Sequence, residues 1–280
     1  MVTLEGWCQD IDNLADVADH TYVYCPEQNV YWGCWGGHSA PDARRVCQGQ
    51  GNFARANCIS RPHSQAGILY GVNGVCHQTA NRILFPAGVI ISGAKFYWLS
   101  VLLYGTYGTV GLSHIEWDIR LRRCLGIETF ALMPPDGRAQ SEDDAERHYL
   151  DRVRALYREA TIDQLRLVDQ PEAQSNILSR EMALMVEYRM GPDLEDDVVS
   201  HTNTLHSQLQ AERADIEQGL HDGKLTGVQF AEKSHNMLGT TLRSLAEKLG
   251  PEKYERLLGI TPDQTPVIVR PDIIQTAFGG

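Results

Sequence analysis

The chain has 280 residues, of which 42% are hydrophobic, and it carries a formal net charge of −11 at pH 7. This length and apolar content suffice for a buried core, and two structural units are the usual expectation. The excess of acidic residues argues against a nucleic-acid partner or an anionic membrane surface. The most apolar stretch, residues 88–104, contains Lys95 and several glycines, so we expect a buried core element there and no membrane span.

The cysteines bear on the compartment. All seven lie within the first 124 residues, and the segment that begins at Met1 does not have the pattern of a signal peptide. An odd number of cysteines without a signal peptide favours reduced thiols. The sequence therefore predicts a cytoplasmic protein, and it leaves open non-classical export as an effector.

The composition changes near residues 134–137. Almost all of the net negative charge lies after residue 130, whereas four of the five tryptophans lie before residue 100. This change predicts an α+β chain with an N-terminal domain over residues 1–135, a helical domain over residues 136–260 and an extended tail over residues 261–280.

Two strands are predicted early in the chain. Residues 1–18 are interpreted as a polar lead-in with one short helix near residues 10–17. Asp19–Cys25 is rich in β-branched and aromatic residues and predicts a strand, and residues 30–37 predict its hairpin partner. Residues 38–66 show no regular pattern.

The next apolar segments are less uniform. Residues 96–107 fit either strands or one buried helix, and the sequence does not decide between them. Alternation over residues 114–121 favours a further strand.

The C-terminal half predicts five amphipathic helices. They begin near residue 141 and continue over about residues 172–190, 193–219, 226–249 and 252–258. None of them carries a cluster of catalytic residues. Their predicted role is a bundle that packs on the N-terminal unit or on another copy of the chain, which would make a homo-oligomer.

The segment with the clearest chemistry surrounds Cys76. An apolar run, residues 68–70, ends in a glycine-rich turn at residues 71–74, and a helix is predicted from Cys76 to the residues before Pro86. The N–H groups and the dipole at a helix N-terminus favour a thiolate. Cys76 is therefore a candidate nucleophile, and the alternative is a cysteine that simply packs in the core.

A thiolate nucleophile works best beside an imidazole that takes and returns a proton. His20 is the candidate base, because a strand holds the ring rigidly and a helix N-terminus can pack beside it. His77 is the neighbour of Cys76 on the same helix and is expected to face elsewhere. His63 and His114 lie in segments whose position the sequence does not predict.

These residues resemble a known superfamily. A histidine on an early strand, His20, followed by a cysteine at the head of a helix in Gly74-Val75-Cys76-His77, is similar to the circularly permuted papain-like fold. This branch of the NlpC/P60-type enzymes includes lecithin:retinol acyltransferase-like and PPPDE-like proteins. Ordinary papain-like enzymes place the cysteine before the histidine, whereas this chain has the permuted order.

The resemblance implies an N-terminal antiparallel sheet with a Cys-bearing helix. It also implies a hydrolase or acyltransferase, without a cofactor, that acts on peptide, amide or ester bonds through a thioester. Family members commonly place a third polar residue on the strand after the histidine. Tyr31 and Trp32 stand there in this chain, so His38, just beyond, is the candidate that orients His20.

Further residues are candidates for supporting roles. Asp19 and Asn73 are the other residues that could orient the base. The backbone N–H of Cys76 would stabilise an oxyanion, and Asn73 is a candidate for substrate binding, with a turn residue as the alternative. Trp35 could line a substrate groove, with aromatic core packing as the alternative.

A zinc site is the competing hypothesis. Its ligands would come from Cys25, Cys34, His38, Cys47, Cys58 and His63. The chain would then be a non-enzymatic interaction protein whose helices bind a partner. No closely spaced Cys-x2-Cys pair is present, and buried free thiols are a third interpretation.

Overall fold

A computed structural model of the chain describes residues 1–11, 19–34, 42–61, 66–109, 139–162, 171–191, 194–264 and 266–278. The strands in these ranges are β1 (Val2–Asp10), β2 (Asp19–Cys25), β3 (Val30–Gly33) and β4 (Arg44–Gly51). The helices are α1 (Phe53–Ser60), α2 (Cys76–Leu84), α3 (Tyr97–Tyr104), α4 (Asp144–Ile162), α5 (Pro171–Met190), α6 (Asp196–His221), α7 (Gly227–Leu258) and α8 (Pro271–Phe278). A sheet near the N-terminus and helices after it confirm the α+β class. Among the described helices, none combines the length and the apolar character that a membrane span requires.

The four strands form one antiparallel sheet in the order β3-β2-β1-β4. The hairpin of β2 and β3 confirms the prediction, whereas β1 and β4 correct it, since their residues were interpreted as lead-in and as irregular chain. Gly6 lies in the middle of β1 because a Cβ there would lie 2.5 Å from the sulfur of Cys47 and 3.2 Å from Leu84. Tight packing against β4 and α2 thus requires a glycine, and this glycine weakens the sequence pattern from which a strand is predicted.

The sheet has two different faces. Leu4, Thr21 and Val23 are fully buried on the face that packs against α2. The opposite face carries aromatic rings, and the Tyr22 ring stacks on Trp7 at a centroid distance of 6.5 Å. Because side chains alternate along a strand, neighbours on β2 belong to opposite faces. This alternation decides which residue at the start of β2 faces α2.

Helix α2 is buried along its whole length although half of its residues are polar. Gln78, Asn81 and Arg82 donate to the backbone carbonyls of residues 105, 106 and 107, at 2.9, 2.8 and 2.6 Å respectively. Buried polar groups are costly unless they are hydrogen-bonded, and these bonds satisfy them. The same bonds hold the first residue of α2 in a fixed position.

The C-terminal helices pack on this unit. Residues 97–104 form the buried helix α3, which decides the question that the sequence left open. Helix α5 contributes Glu181, which accepts from the Thr106 N–H at 2.7 Å. Burial raises the pKa of this carboxyl, and the bonds from Thr106 and Tyr157 work in the opposite direction. Helix and sheet regions therefore share one core.

The predicted helices are confirmed to within a few residues, with two changes. The fourth and fifth are joined in α7 and separated only by a break at Gly250, where φ is +72°. The tail is not extended throughout, since Pro271–Phe278 forms α8. The proposed domain boundary at residue 135, the predicted strand over residues 114–121 and most of the predicted helix near residues 10–17 lie outside the described residues.

Candidate active site

Cys76 is the first residue of α2, and its side chain lies against the start of β2. Its sulfur is 3.8 Å from the backbone oxygen of Asp19, to which the thiol donates. The helix leaves the N–H groups of its first turn without intrahelical partners. The side chain of Gln78 reaches back and accepts from the Val75 N–H at 3.0 Å, which closes the N-terminus of the helix. The predicted placement of Cys76 at a helix head is confirmed.

The Asp19 carboxylate is the polar centre beside Cys76. Its Oδ1 lies 3.3 Å from Nε2 of His77, and its Oδ2 accepts from the Lys95 N–H at 2.8 Å. The other ring nitrogen of His77, Nδ1, lies 2.9 Å from Oγ of Ser100. Both ring nitrogens of His77 are therefore occupied.

The hydrogen-bond geometry around His77 favours the protonated form of its ring. The single hydroxyl proton of Ser100 is used in a 2.7 Å bond to the Tyr97 carbonyl, so Nδ1 of His77 must donate to Ser100. Nε2 faces a carboxylate and needs a proton as well. Burial lowers the pKa of His77, but the charge of Cys76 and the hydrogen bond and charge of Asp19 raise it above the ordinary value. The surroundings of His77 thus favour a cation next to Cys76.

His20 follows Asp19 in β2 and is buried. Its ring stacks with Tyr22 at a centroid distance of 6.1 Å, which assigns it to the aromatic face of the sheet. It remains close enough to the site that its charge lowers the pKa of His77. The alternation of β2 therefore turns the Asp19 carboxylate toward α2.

The other predicted site residues have different outcomes. Asn73 is fully buried, accepts from the Leu69 N–H at 2.8 Å and donates to the Gly67 carbonyl at 3.4 Å. These bonds are those of a turn residue, the alternative that the sequence offered. His38 and Trp35 lie outside the described residues.

The sequence reasoning missed three residues of the site. The sequence predicted that His77 faces away from Cys76. Because α2 is buried on all sides, however, two adjacent side chains at its start can belong to the same site. Ser100 lies in the most apolar stretch of the chain, where a core element and no site residue was predicted. Tyr70 forms a β-bridge with Gly74, two residues before Cys76, and its pKa is raised first by burial and then by the charge of Cys76. Its hydroxyl donates to the Ile268 carbonyl at 3.1 Å, so the C-terminal segment borders the site.

The cysteines bear on the zinc hypothesis and on the compartment. Within the described part of the chain, no three Cys, His, Asp or Glu side chains gather as metal ligands. Cys58 is disulfide-bonded, whereas Cys8, Cys25, Cys34, Cys47 and Cys76 are free. The expectation that all thiols are reduced is therefore wrong for Cys58, which is also lost as a zinc ligand. His38 and His63, two other proposed ligands, lie outside the described residues.

Replacing Asp19 by asparagine is expected to lower the pKa of His77 and to destabilise the protein in a pH-dependent way. The raised pKa of His77 contributes stability that is present below the ordinary histidine pKa and is lost as the pH rises through the folded-state pKa. The variant should therefore lose most stability in mildly acidic solution, by about 1.4 kcal/mol for each unit by which the pKa falls. NMR titration of His77 and urea unfolding at acidic and alkaline pH measure both effects.

Asp10 provides the matched control. It lies opposite Asp19 in the β1–β2 pairing, and its exposed carboxylate accepts a hydrogen bond from Nζ of Lys95 at 2.6 Å. Exposed ion pairs contribute about 0–1 kcal/mol. Asp10→Asn should leave the pKa of His77 unchanged. An equal change of this pKa in both variants would contradict the specific pairing of Asp19 with His77.

The chain matches no protein-family model, no curated protein and no solved structure. The papain-like resemblance therefore stays a prediction from the sequence. The function of this chain has to be argued from the cluster of Cys76, Asp19, His77 and His20.

Proposed function

We propose that the chain is a cysteine-nucleophile hydrolase or acyltransferase that acts on amide, peptide or ester bonds. The observation that carries the proposal is the position of Cys76 at the first turn of α2, beside the ion pair of Asp19 and His77. A thiol at a helix N-terminus next to a fixed imidazolium is the environment in which cysteine nucleophiles are activated.

The proposed reaction begins with attack of the Cys76 sulfur on a carbonyl carbon. The carbonyl oxygen becomes an oxyanion, and the free N–H groups of the first turn of α2 are the donors that would receive it. The leaving amine or alcohol departs with a proton, and a thioester joins the acyl group to Cys76. Water or a second amine then attacks the thioester and regenerates the thiol.

The two histidines have different roles in this proposal. His77 supplies a fixed positive charge beside the sulfur, because Asp19 and Ser100 already occupy its two ring nitrogens. His20 is the proposed base, which takes the proton of Cys76 and returns it to the leaving group. Its support is that the ring is buried at the start of β2, where its charge acts on His77 and where the carbonyl of the preceding residue, Asp19, contacts the sulfur.

An acyl-enzyme experiment tests the proposal. The protein is mixed with activated esters and with short peptide amides, quenched in acid and analysed by intact mass and peptide mapping. The expected result is an acyl adduct on Cys76. His20→Gln should slow formation of the adduct by about 10²-fold or more, the usual contribution of a general base.

His235 supplies the control. It is exposed on α7, far along the chain from the proposed site, so His235→Gln should leave acylation unchanged. No adduct with either substrate type would overturn the nucleophile. Acylation that survives His20→Gln at the wild-type rate would overturn the assignment of His20 as base while keeping Cys76.

A further inference from the structure

A second free thiol lies beside the first turn of α2. Cys34 directly follows β3, is buried, and its sulfur is 3.0 Å from Oγ1 of Thr79. The Thr79 hydroxyl also lies 3.4 Å from the Val75 carbonyl, so it points back toward the start of the helix. The sulfur of Cys34 therefore lies against the first turn of α2, which begins at Cys76.

Cys76 occupies the same side of that turn. Residues three apart on a helix are neighbours on its surface, so Cys76 and Thr79 share one face. The sulfur of Cys76 contacts the Asp19 carbonyl of β2, and β2 pairs with β3, which leads to Cys34. Both sulfurs thus lie in the seam between α2 and the β2–β3 hairpin.

The electrostatics agree with this geometry. Burial raises the pKa of Cys34, and the neighbouring charge of Cys76 raises it further. The pKa of Tyr70 is also raised, first by burial and then by charges that include both cysteines. Both pKa effects are those expected of two thiols in one seam.

We propose that Cys76 and Cys34 are a dithiol that hydrogen peroxide or an organic hydroperoxide converts into a disulfide. The Cys76 sulfur attacks one peroxide oxygen, the O–O bond breaks and water or an alcohol leaves, which yields a sulfenic acid. The Cys34 sulfur then attacks the Cys76 sulfur, the S–O bond breaks, and water carries away the oxygen and the Cys34 proton. The two thiols lose two electrons, and the peroxide is reduced.

The order of the two steps follows from the surroundings of each thiol. Burial keeps Cys34 as a neutral thiol, which reacts slowly with peroxide. Cys34 is therefore the residue of the second step, in which the disulfide forms. Cys76 lies at a helix N-terminus beside His77, whose protonated form is favoured by the Asp19 carboxylate, and a reactive sulfur is expected there. The proposal does not depend on the hydrolase activity, since disulfide formation is measured by mass and not by turnover. In an active hydrolase it would block the nucleophile reversibly.

The experiment treats the folded full chain with hydrogen peroxide and then alkylates the remaining thiols. Trypsin and chymotrypsin together separate Cys34 from Cys25 and Cys8, because aromatic residues lie between them. The expected product is a crosslinked peptide that joins Cys34 to Cys76, with a mass two hydrogens below the sum of its parts. Dithiothreitol should restore alkylation at both positions.

Two variants sharpen the test. Cys34→Ser should abolish the crosslink and let Cys76 proceed to the sulfinic acid, which dithiothreitol does not reverse. Cys25→Ser removes a buried thiol at the far end of β2 and should leave the crosslink unchanged. The proposal is overturned if wild-type Cys76 becomes sulfinic acid while Cys34 remains open to alkylation, or if neither thiol reacts. Acylation of Cys76 without a disulfide would separate this failure from that of the proposed function.

Discussion

Cys76→Ser is expected to abolish turnover and to remove the fastest-reacting thiol of the folded protein. Loss of a nucleophile in an enzyme with a covalent intermediate costs on the order of 10⁴–10⁶ in rate. The exchange of sulfur for oxygen keeps the shape of the side chain, so the free energy of unfolding should change by only about 1 kcal/mol. Activity and stability are thereby separated in one variant.

Iodoacetamide at mildly acidic pH measures the reactivity directly. Cys76 is buried, with 7% of its surface exposed, whereas Cys47 is only half-buried. Exposure alone therefore predicts that Cys47 reacts first. Activation by the helix start and by His77 predicts the reverse order, since the thiolate is the species that reacts.

Cys47→Ser is the matched control for this experiment. It should leave the fast phase of alkylation in place, and Cys76→Ser should eliminate it. A fast phase that disappears in Cys47→Ser and persists in Cys76→Ser would exclude an activated Cys76, and the proposed mechanism would have no nucleophile.

Gly108→Ala is expected to lower the free energy of unfolding by about 3 kcal/mol or more. Gly108 has a φ of +84°, and a Cβ at this position would lie 2.7 Å from the backbone oxygen of Asn73. That oxygen also accepts from the Thr109 N–H at 2.8 Å. The methyl group would therefore displace the turn that leads into Cys76 as well as strain its own backbone.

Gly223→Ala separates these two effects. Gly223 has a similar φ of +66°, but nothing lies within 4 Å of the position of its Cβ. The free energy of unfolding of this variant should fall only by the cost of placing alanine in the left-handed region, about 1–2 kcal/mol. Urea unfolding of both variants gives the difference, and Gly108→Ala should also slow the alkylation of Cys76. Equal losses of stability would show that the contact with Asn73 is not tight.

Only part of the sheet was predictable from the sequence. The hairpin of β2 and β3 was predictable because β-branched and aromatic residues alternate there. β1 and β4 were missed because each contains glycine where other residues approach closely. A Cβ at Gly49, for example, would lie 2.7 Å from the Ala87 carbonyl oxygen. The alternation of Leu4, Gly6 and Cys8 with polar or larger residues was the signal that could have identified β1.

The helix that carries Cys76 was predictable for a different reason. Its start follows a glycine-rich turn and its end precedes Pro86, so local signals alone indicate its bounds. That the polar residues of the helix are buried could not be predicted, because the carbonyls that satisfy them belong to residues 105–107. Amphipathic spacing likewise predicted the later helices but not the partners against which they pack.

The sequence by itself determined that a cysteine begins a helix, that an Asp-His pair begins a strand, and that an α+β core precedes a helical half. These are local properties, governed by turn residues, side-chain alternation and helical periodicity. Only the tertiary structure decided that Asp19 contacts both Cys76 and His77. Adjacent residues of a strand point to opposite faces, and the face that meets α2 is selected by packing between distant parts of the chain.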